Sequence, residues 1–295
     1  MPHTYAVRLV PSSMVLLAAL LGGPATAREG QGATGMGETP MELKVRSDIA
    51  GLTFQMLDKL PRAPRAGASV PDFCTSYVSA PKTDAGREVR AAGWSVTGEA
   101  RLGPLTAVSF AGGFEPATSG TCVVQDGNIG IFNAEGGLVA IAYARRGSKA
   151  SIGRVSALES GALRVWDGDP PGMPIADIER QESGYLLRLG ALAAKETLCR
   201  GRASVPNIYG MGIDKARAAL IQSGWTPVPG DQGEDSRFGR EKDLRKHGIV
   251  EVEGCSGTGF GYCSYVYKGA AGKLTVTTIG DGEFPTVSAY GAECP

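Results

Sequence analysis

One feature constrains this chain more than any other: landmarks in its first half return, in order, in its second. Val70-Pro71-Asp72 comes back as Val205-Pro206-Asn207, and Gly93-Trp94 as Gly224-Trp225. Ile131-Phe132 with Leu138 is matched by Val266-Tyr267 with Leu274, and Val155-Ser156-Ala157 by Val287-Ser288-Ala289. The spacing between counterparts is nearly constant. Ordered self-similarity of this kind predicts an internal duplication, of residues ~70–159 and ~205–294, and hence two related modules.

The ends place the chain. Arg8 supplies a basic start, Met14–Leu21 an apolar stretch, and Ala25-Thr26-Ala27 a small-residue cleavage site, which together read as a signal peptide over 1–27. The apolar stretch is far shorter than the ~20 residues a membrane-spanning helix needs. No later stretch is long or apolar enough either, so no transmembrane segment is expected. The expected location is periplasmic or secreted. Lys plus Arg equal Asp plus Glu at 30 each, and removing the leader takes away Arg8 and no acid. That balance offers no concentrated positive field, which argues against nucleic acid or an anionic membrane surface as partner.

Six cysteines, Cys74, Cys122, Cys199, Cys255, Cys263 and Cys294, all lie beyond the leader. An even number in an exported chain predicts three disulfides, with fifteen possible pairings. The expected set is Cys74–Cys122 inside the first module, Cys255–Cys263 across a short loop, and Cys199–Cys294 closing the second. No C-x-x-C occurs and histidine is nearly absent, which disfavours zinc. No cofactor and no metal are expected.

The Gly-rich polar stretch 28–40 reads as a disordered mature N-terminus. Leu43, Ile49, Leu52, Phe54, Met56, Leu57 and Leu60 suggest a helix within 41–60, followed by a Pro-rich linker that completes the segment 41–69. A first module follows over 70–200. It has a helix from about Thr83, its N-cap, to Ala92, closed by Gly93. Strand-like runs then alternate with Asp126-Gly127-Asn128 and Glu135-Gly136-Gly137, which is turn chemistry. Residues 160–200 have no counterpart in the other half and read as an insertion carrying a strand at Leu163–Trp166. Its remainder, up to Cys199, is a helix or a hairpin. The second module, 201–295, has a helix from Asp214 to Gly224, a polar loop over 230–239 and a small helix ending at His247-Gly248. Four strand candidates follow: Ile249–Glu253, Tyr262–Lys268, Lys273–Ile279 and Thr286–Ala292. The predicted fold class is α+β, two modules in tandem, each a short helix packed on an antiparallel sheet.

Val205-Pro206-Asn207-Ile208-Tyr209-Gly210-Met211, followed by Asp214, Ala216, Ala219-Leu220 and Gly224, resembles the opening of a PASTA domain. The likeness covers about residues 205–225. The resemblance implies an extracytoplasmic α+β unit of the kind associated with cell-wall muropeptides and β-lactams, used as a sensory or docking repeat. Beyond Trp225 the chain departs from that pattern, with cysteines and a longer sheet where the family has its second hairpin. No ligand-contacting residue is carried over.

Chemistry is sparse. Only His3 and His247 exist, and His3 leaves with the leader. His247 sits in a cationic last helical turn closed by Gly248, where the helix dipole favours positive charge. Ser148-Lys149 are neighbours in sequence, a spacing that does not face the two side chains together. Asp167-Gly168-Asp169 reads as a turn, because Pro170-Pro171 interrupts any calcium loop. The candidate binding element is Gly254–Gly261, between two cysteines. Gly257 and Gly259 there could form a backbone nest, and Phe260 with Tyr262 is expected on one strand face, opposite Tyr265 with Tyr267. The functional expectation is an exported non-catalytic binding module whose partner is cell-wall material. The alternative is an inhibitor or immunity-type protein that presents this stapled loop to a protein partner, a hydrolase.

Overall fold

The computed structural model describes residues 43–64, 66, 69–181, 184–231 and 239–295. The expected leader, the expected disordered stretch 28–40 and most of the 230–239 loop lie outside the described residues. Within them the protein is mostly β, with several antiparallel sheets and a few short helices.

The chain opens with β1 (Lys44–Ser47) and β2 (Leu52–Met56), which corrects the helix expected over 41–60. Leu52 and Phe54 are buried while Gln55 and Met56 are exposed, so the apolar residues follow a period of two interrupted by a turn. Gly51, at φ +83°, makes that turn. After a 3-10 turn at Asp72–Tyr77 comes α1 (Asp84–Ala91), capped where the hydroxyl of Thr83 accepts from the Gly86 N–H at 3.0 Å.

The chain then forms β3 (Ser95–Leu102), β4 (Leu105–Ala111), a small hairpin of β5 (Gly113–Pro116) and β6 (Cys122–Gln125), β7 (Asn128–Phe132) and β8 (Leu138–Ala144). After these come β9 (Arg154–Ala157), β10 (Leu163–Trp166), β11 (Pro174–Arg180) and β12 (Leu186–Gly190). They assemble into two five-stranded sheets, ordered β2-β8-β7-β4-β3 and β1-β12-β11-β10-β9. All pairs are antiparallel except β1 with β12.

The sheets share one core, in which Ile129, Ile131 and Ala140 of the first meet Leu163, Val165, Ile178 and Leu187 of the second. Each fully buried Ile, Leu or Val side chain among them contributes roughly 1.5–3 kcal/mol. The first sheet is covered on its other face too, by α1 and Trp94, which pack on Val108, Phe110 and Phe132. Burial on both faces explains why β4 reads as an almost unbroken apolar run. At the sandwich edge the buried Ser109 hydroxyl accepts from Thr97 and from the Val155 N–H, both at 3.0 Å, and so stitches the two sheets together.

Residues 160–200 are part of this frame, since β10, β11 and β12 supply three of the five strands of the second sheet. Of the two conformations left open before Cys199, the chain takes hairpins. One of them, β13 (Lys195–Leu198) with β14 (Ala203–Pro206), straddles residue 200.

The remainder is α2 (Ile213–Gln222), β15 (Thr226–Pro227), α3 (Gly239–Lys246), β16 (Val252–Cys255), β17 (Cys263–Gly269), β18 (Gly272–Ile279) and β19 (Thr286–Glu293). The order is β15-β17-β18-β19, with β16 also pairing β17. α2 buries Ile213, Ala216 and Leu220 in a core shared with Trp225, Tyr265, Tyr267, Leu274 and Val276.

The repeated Gly-Trp step has the same local structure in both places. Gly93 and Gly224 lie at φ +90° and +87°, and the following Trp N–H returns to the carbonyl of Val89 or Leu220. Both indole N–H groups donate to a backbone carbonyl, Pro61 at 2.7 Å and Ser204 at 3.1 Å. The fourth landmark differs in context: Val155–Ala157 lies in β9, beside β10 in the second sheet, whereas Val287–Ala289 lies in β19, beside β18.

Candidate functional site

The disulfides are Cys74–Cys122, Cys199–Cys294 and Cys255–Cys263, the expected set. The last joins residues directly opposite in the β16–β17 register. The loop it closes folds on itself: the N–H groups of Ser256, Thr258 and Gly261 donate to Tyr262 O, Ser256 Oγ and Thr258 O. These three donors are therefore spent within the loop. Gly257 is exposed, and Gly259, at φ +71°, faces the Ser119 side chain of the turn after β5.

Tyr265 and Tyr267 are buried, but Phe260 and Tyr262 precede β17 and so are not the opposite face of that strand. They meet edge to face at 5.9 Å, with Tyr262 38% exposed. The loop therefore presents one aromatic pair on a closed frame.

A second feature had no local signature. The Cys74–Cys122 cap and the turn 167–172 enclose a cleft of about 460 Å³. Asp167 anchors the turn, accepting from the Ser151 hydroxyl at 2.7 Å and the Asp169 N–H at 3.2 Å. That is turn chemistry of the kind expected for Asp167-Gly168-Asp169. Val124 N–H donates to Gly168 O, tying the cap hairpin to the turn. Trp166 forms one wall; its indole N–H donates to Ser156 Oγ at 2.8 Å, and the Arg154 guanidinium lies 4.7 Å over its ring.

The base of the cap demands a residue without a side chain at 127, where a Cβ would lie 1.6 Å from the Ile152 carbonyl oxygen. Gly127→Ala is therefore expected to displace the cap and cost about 1–3 kcal/mol, read as a lower urea midpoint with an unchanged slope.

Where the sandwich meets the second half, Arg164 lies 2% exposed between carboxylates. It donates to both oxygens of Asp177, at 2.9 and 3.1 Å, and to Glu196 at 2.6 Å. Burial alone would lower its pKa, but the paired carboxylates outweigh it and hold the guanidinium above its ordinary value. Glu196 also accepts from Tyr290, whose ring stacks on Tyr209 at 4.5 Å, while Tyr209 meets the edge of Trp166. Burial raises the phenol pKa of both Tyr209 and Tyr290. A separate buried carboxylate, Glu251, takes the Tyr267 hydroxyl at 2.6 Å and Arg217 at 3.0 Å.

Tyr265 carries a pH prediction. Burial is the main cause that pushes its phenol from about 10 up to about 12. Between those values the unfolded chain loses a proton that the folded one keeps, so stability present below pH 10 drains away as pH rises. The expected loss for this residue is about 1.4 kcal/mol per pH unit across that window. Urea titrations at pH 9, 10 and 11 would check it, and a flat midpoint would contradict it.

Other sequence candidates are not assembled into a site. His247 follows α3, pairs with Glu283 at 3.4 Å and abuts Phe284. Ser148 Oγ accepts from the Ala150 N–H, a turn contact. Among the described residues no group of three or more His, Cys, Asp or Glu side chains could hold a metal ion. No helix among them is long and apolar enough to cross a membrane.

No family model, curated protein or solved structure matches this chain. Its function must be read from its own surfaces. The disulfides fit an extracellular or periplasmic protein, since such bonds persist in oxidising compartments.

Proposed function

We propose that this is an exported binding protein, one that holds a ligand of the cell envelope rather than transforming it. The observation that carries the reading is the cleft at the cap, a concavity within the size range of small-molecule sites. Its walls are held by a disulfide, by the Asp167 anchor and by the close approach at Gly127, so little ordering cost would remain at binding. The envelope as ligand source rests on the expected leader and on the PASTA-like opening at 205–225. The shared Gly-Trp geometry after α1 and α2 supports reading the two halves as related α+β modules in tandem. Retention of the mature protein on isolated peptidoglycan is the expected result, and free passage through it would remove the envelope assignment.

A second reading rests on a different observation, the stapled loop with Tyr262 half exposed at its base. As an inhibitor or immunity-type protein it would insert that aromatic pair into a hydrolase. A stable complex with a defined envelope hydrolase, abolished by Tyr262→Ala, would favour this reading over the first.

A further inference from the structure

The cleft holds opposite charges that do not pair. Among the described residues neither the Asp169 carboxylate nor the Arg154 guanidinium has a hydrogen-bond or ion-pair partner, and Arg154 lies over the Trp166 ring. Both residues line the cleft and both are exposed. The remaining acid, Asp167, spends an oxygen on Ser151 and on the Asp169 N–H. That bond to its backbone also fixes where Asp169 stands. Arg154 is likewise placed: its guanidinium lies over the indole, and a guanidinium can rest on a ring while its N–H fork serves a carboxylate, which a lysine could not do.

Asp167 keeps its negative charge as part of the turn, and beside it the lining offers one cation and one acid without partners, which suits neither a polyanion nor a polycation. It suits a ligand carrying one charge of each sign. The rest of the lining is mixed, with Trp166, Pro170 and Val124 as well as Ser76, Thr97 and Thr121. Its walls at 167–172 are turns, which offer an extended chain no strand edge on that side.

We propose that this cleft binds a short zwitterionic peptide of two or three residues. Its carboxylate pairs with Arg154, its ammonium with Asp169, and an apolar side chain lies against Trp166 and Pro170. The proposal rests on the binding reading above and names the ligand class for it. Two sources supply such peptides outside the cytoplasm, protein turnover and cell-wall turnover, and they differ in stereochemistry.

The test is isothermal titration of the mature protein with a panel of Ala-Xaa dipeptides, as L,L and D,D forms. Each is also offered N-acetylated and C-amidated. Free peptides are expected to bind, with acetylation or amidation each weakening affinity by about 10-fold or more, the loss of one charge-assisted contact. Asp169→Asn should abolish the penalty for acetylation alone, and Arg154→Gln the penalty for amidation alone. Asp169 is exposed and without a partner, so Asp169→Asn should not move the melting temperature, while Arg154→Gln, which loses the contact with the Trp166 ring, should lower it only slightly. Preference for L,L or D,D forms assigns the source. Equal binding of blocked and free peptides overturns the proposal, as does no binding across the panel. If peptidoglycan retains the protein and the Asp169→Asn, Arg154→Gln double variant alike while no peptide binds, this inference fails and the envelope reading stands.

Discussion

Replacing Arg164 by alanine is expected to destabilise the protein by about 3–5 kcal/mol, because two buried carboxylates would lose their counter-charge. Asp177 is fully buried and Glu196 14% exposed, so water cannot take over the role of the guanidinium. The asymmetry of such sites gives a sharper check. Arg164→Met combined with Asp177→Leu removes both charges of the bidentate pair and should recover part of what Arg164→Ala loses, the remainder being Glu196 without its guanidinium and the Ala193 N–H without its acceptor. Glu196→Gln should cost less than either single loss within that pair, since it keeps an acceptor for Tyr290 and the Arg164–Asp177 contact is untouched.

The location matters as much as the size. Arg164 and Asp177 face each other across β10 and β11 of the sandwich, Glu196 stands on β13 and Tyr290 on β19. The network therefore fastens the sandwich to the second half. Urea unfolding is expected to take one step in the parent protein and two in Arg164→Ala. An unchanged, one-step curve shifted by less than about 1 kcal/mol would remove the network from any such role.

How much of this was legible in the sequence depended on range. α1 and α2 were readable because their signals are local: a capping Thr83, an apolar face, and Gly93 or Gly224 at the end. The last three strands were readable from alternation, as in Thr275 and Thr277 between Leu274, Val276 and Thr278. β1 and β2 were missed because apolar residues counted over twenty positions hide a turn at Gly51, and because β1 finds its partner only in β12.

The network and the cleft were missed for the same reason, since each gathers residues from separate turns and strands. One clue was present. Arg164 interrupts the otherwise apolar β10 and Asp177 the buried stretch of β11, and a charge at such a register position must have a partner once the strand is covered on both faces.

The Cys199–Cys294 bond is expected to contribute most of the three disulfides. It spans 95 residues, against 48 for Cys74–Cys122 and 8 for Cys255–Cys263. If stabilisation comes from restricting the unfolded chain, paired Cys→Ala variants should lose about 4.7, 4 and 2.5 kcal/mol in that order, measured by urea unfolding. The native state adds a refinement for the first. Cys199 and Arg200 both have positive φ, at 59° and 58°, in the turn between β13 and β14, a conformation that costs a side-chain-bearing residue. Cys199→Gly with Cys294→Ala should therefore lose roughly 0.5–1 kcal/mol less than the alanine pair, because glycine adopts that conformation freely. A reversed order, with the eight-residue staple costing the most, would move the origin of stabilisation from the unfolded chain to the folded loop. That outcome would also make the frame around Phe260 and Tyr262 the structurally critical part of the second half, rather than the closure at Cys199.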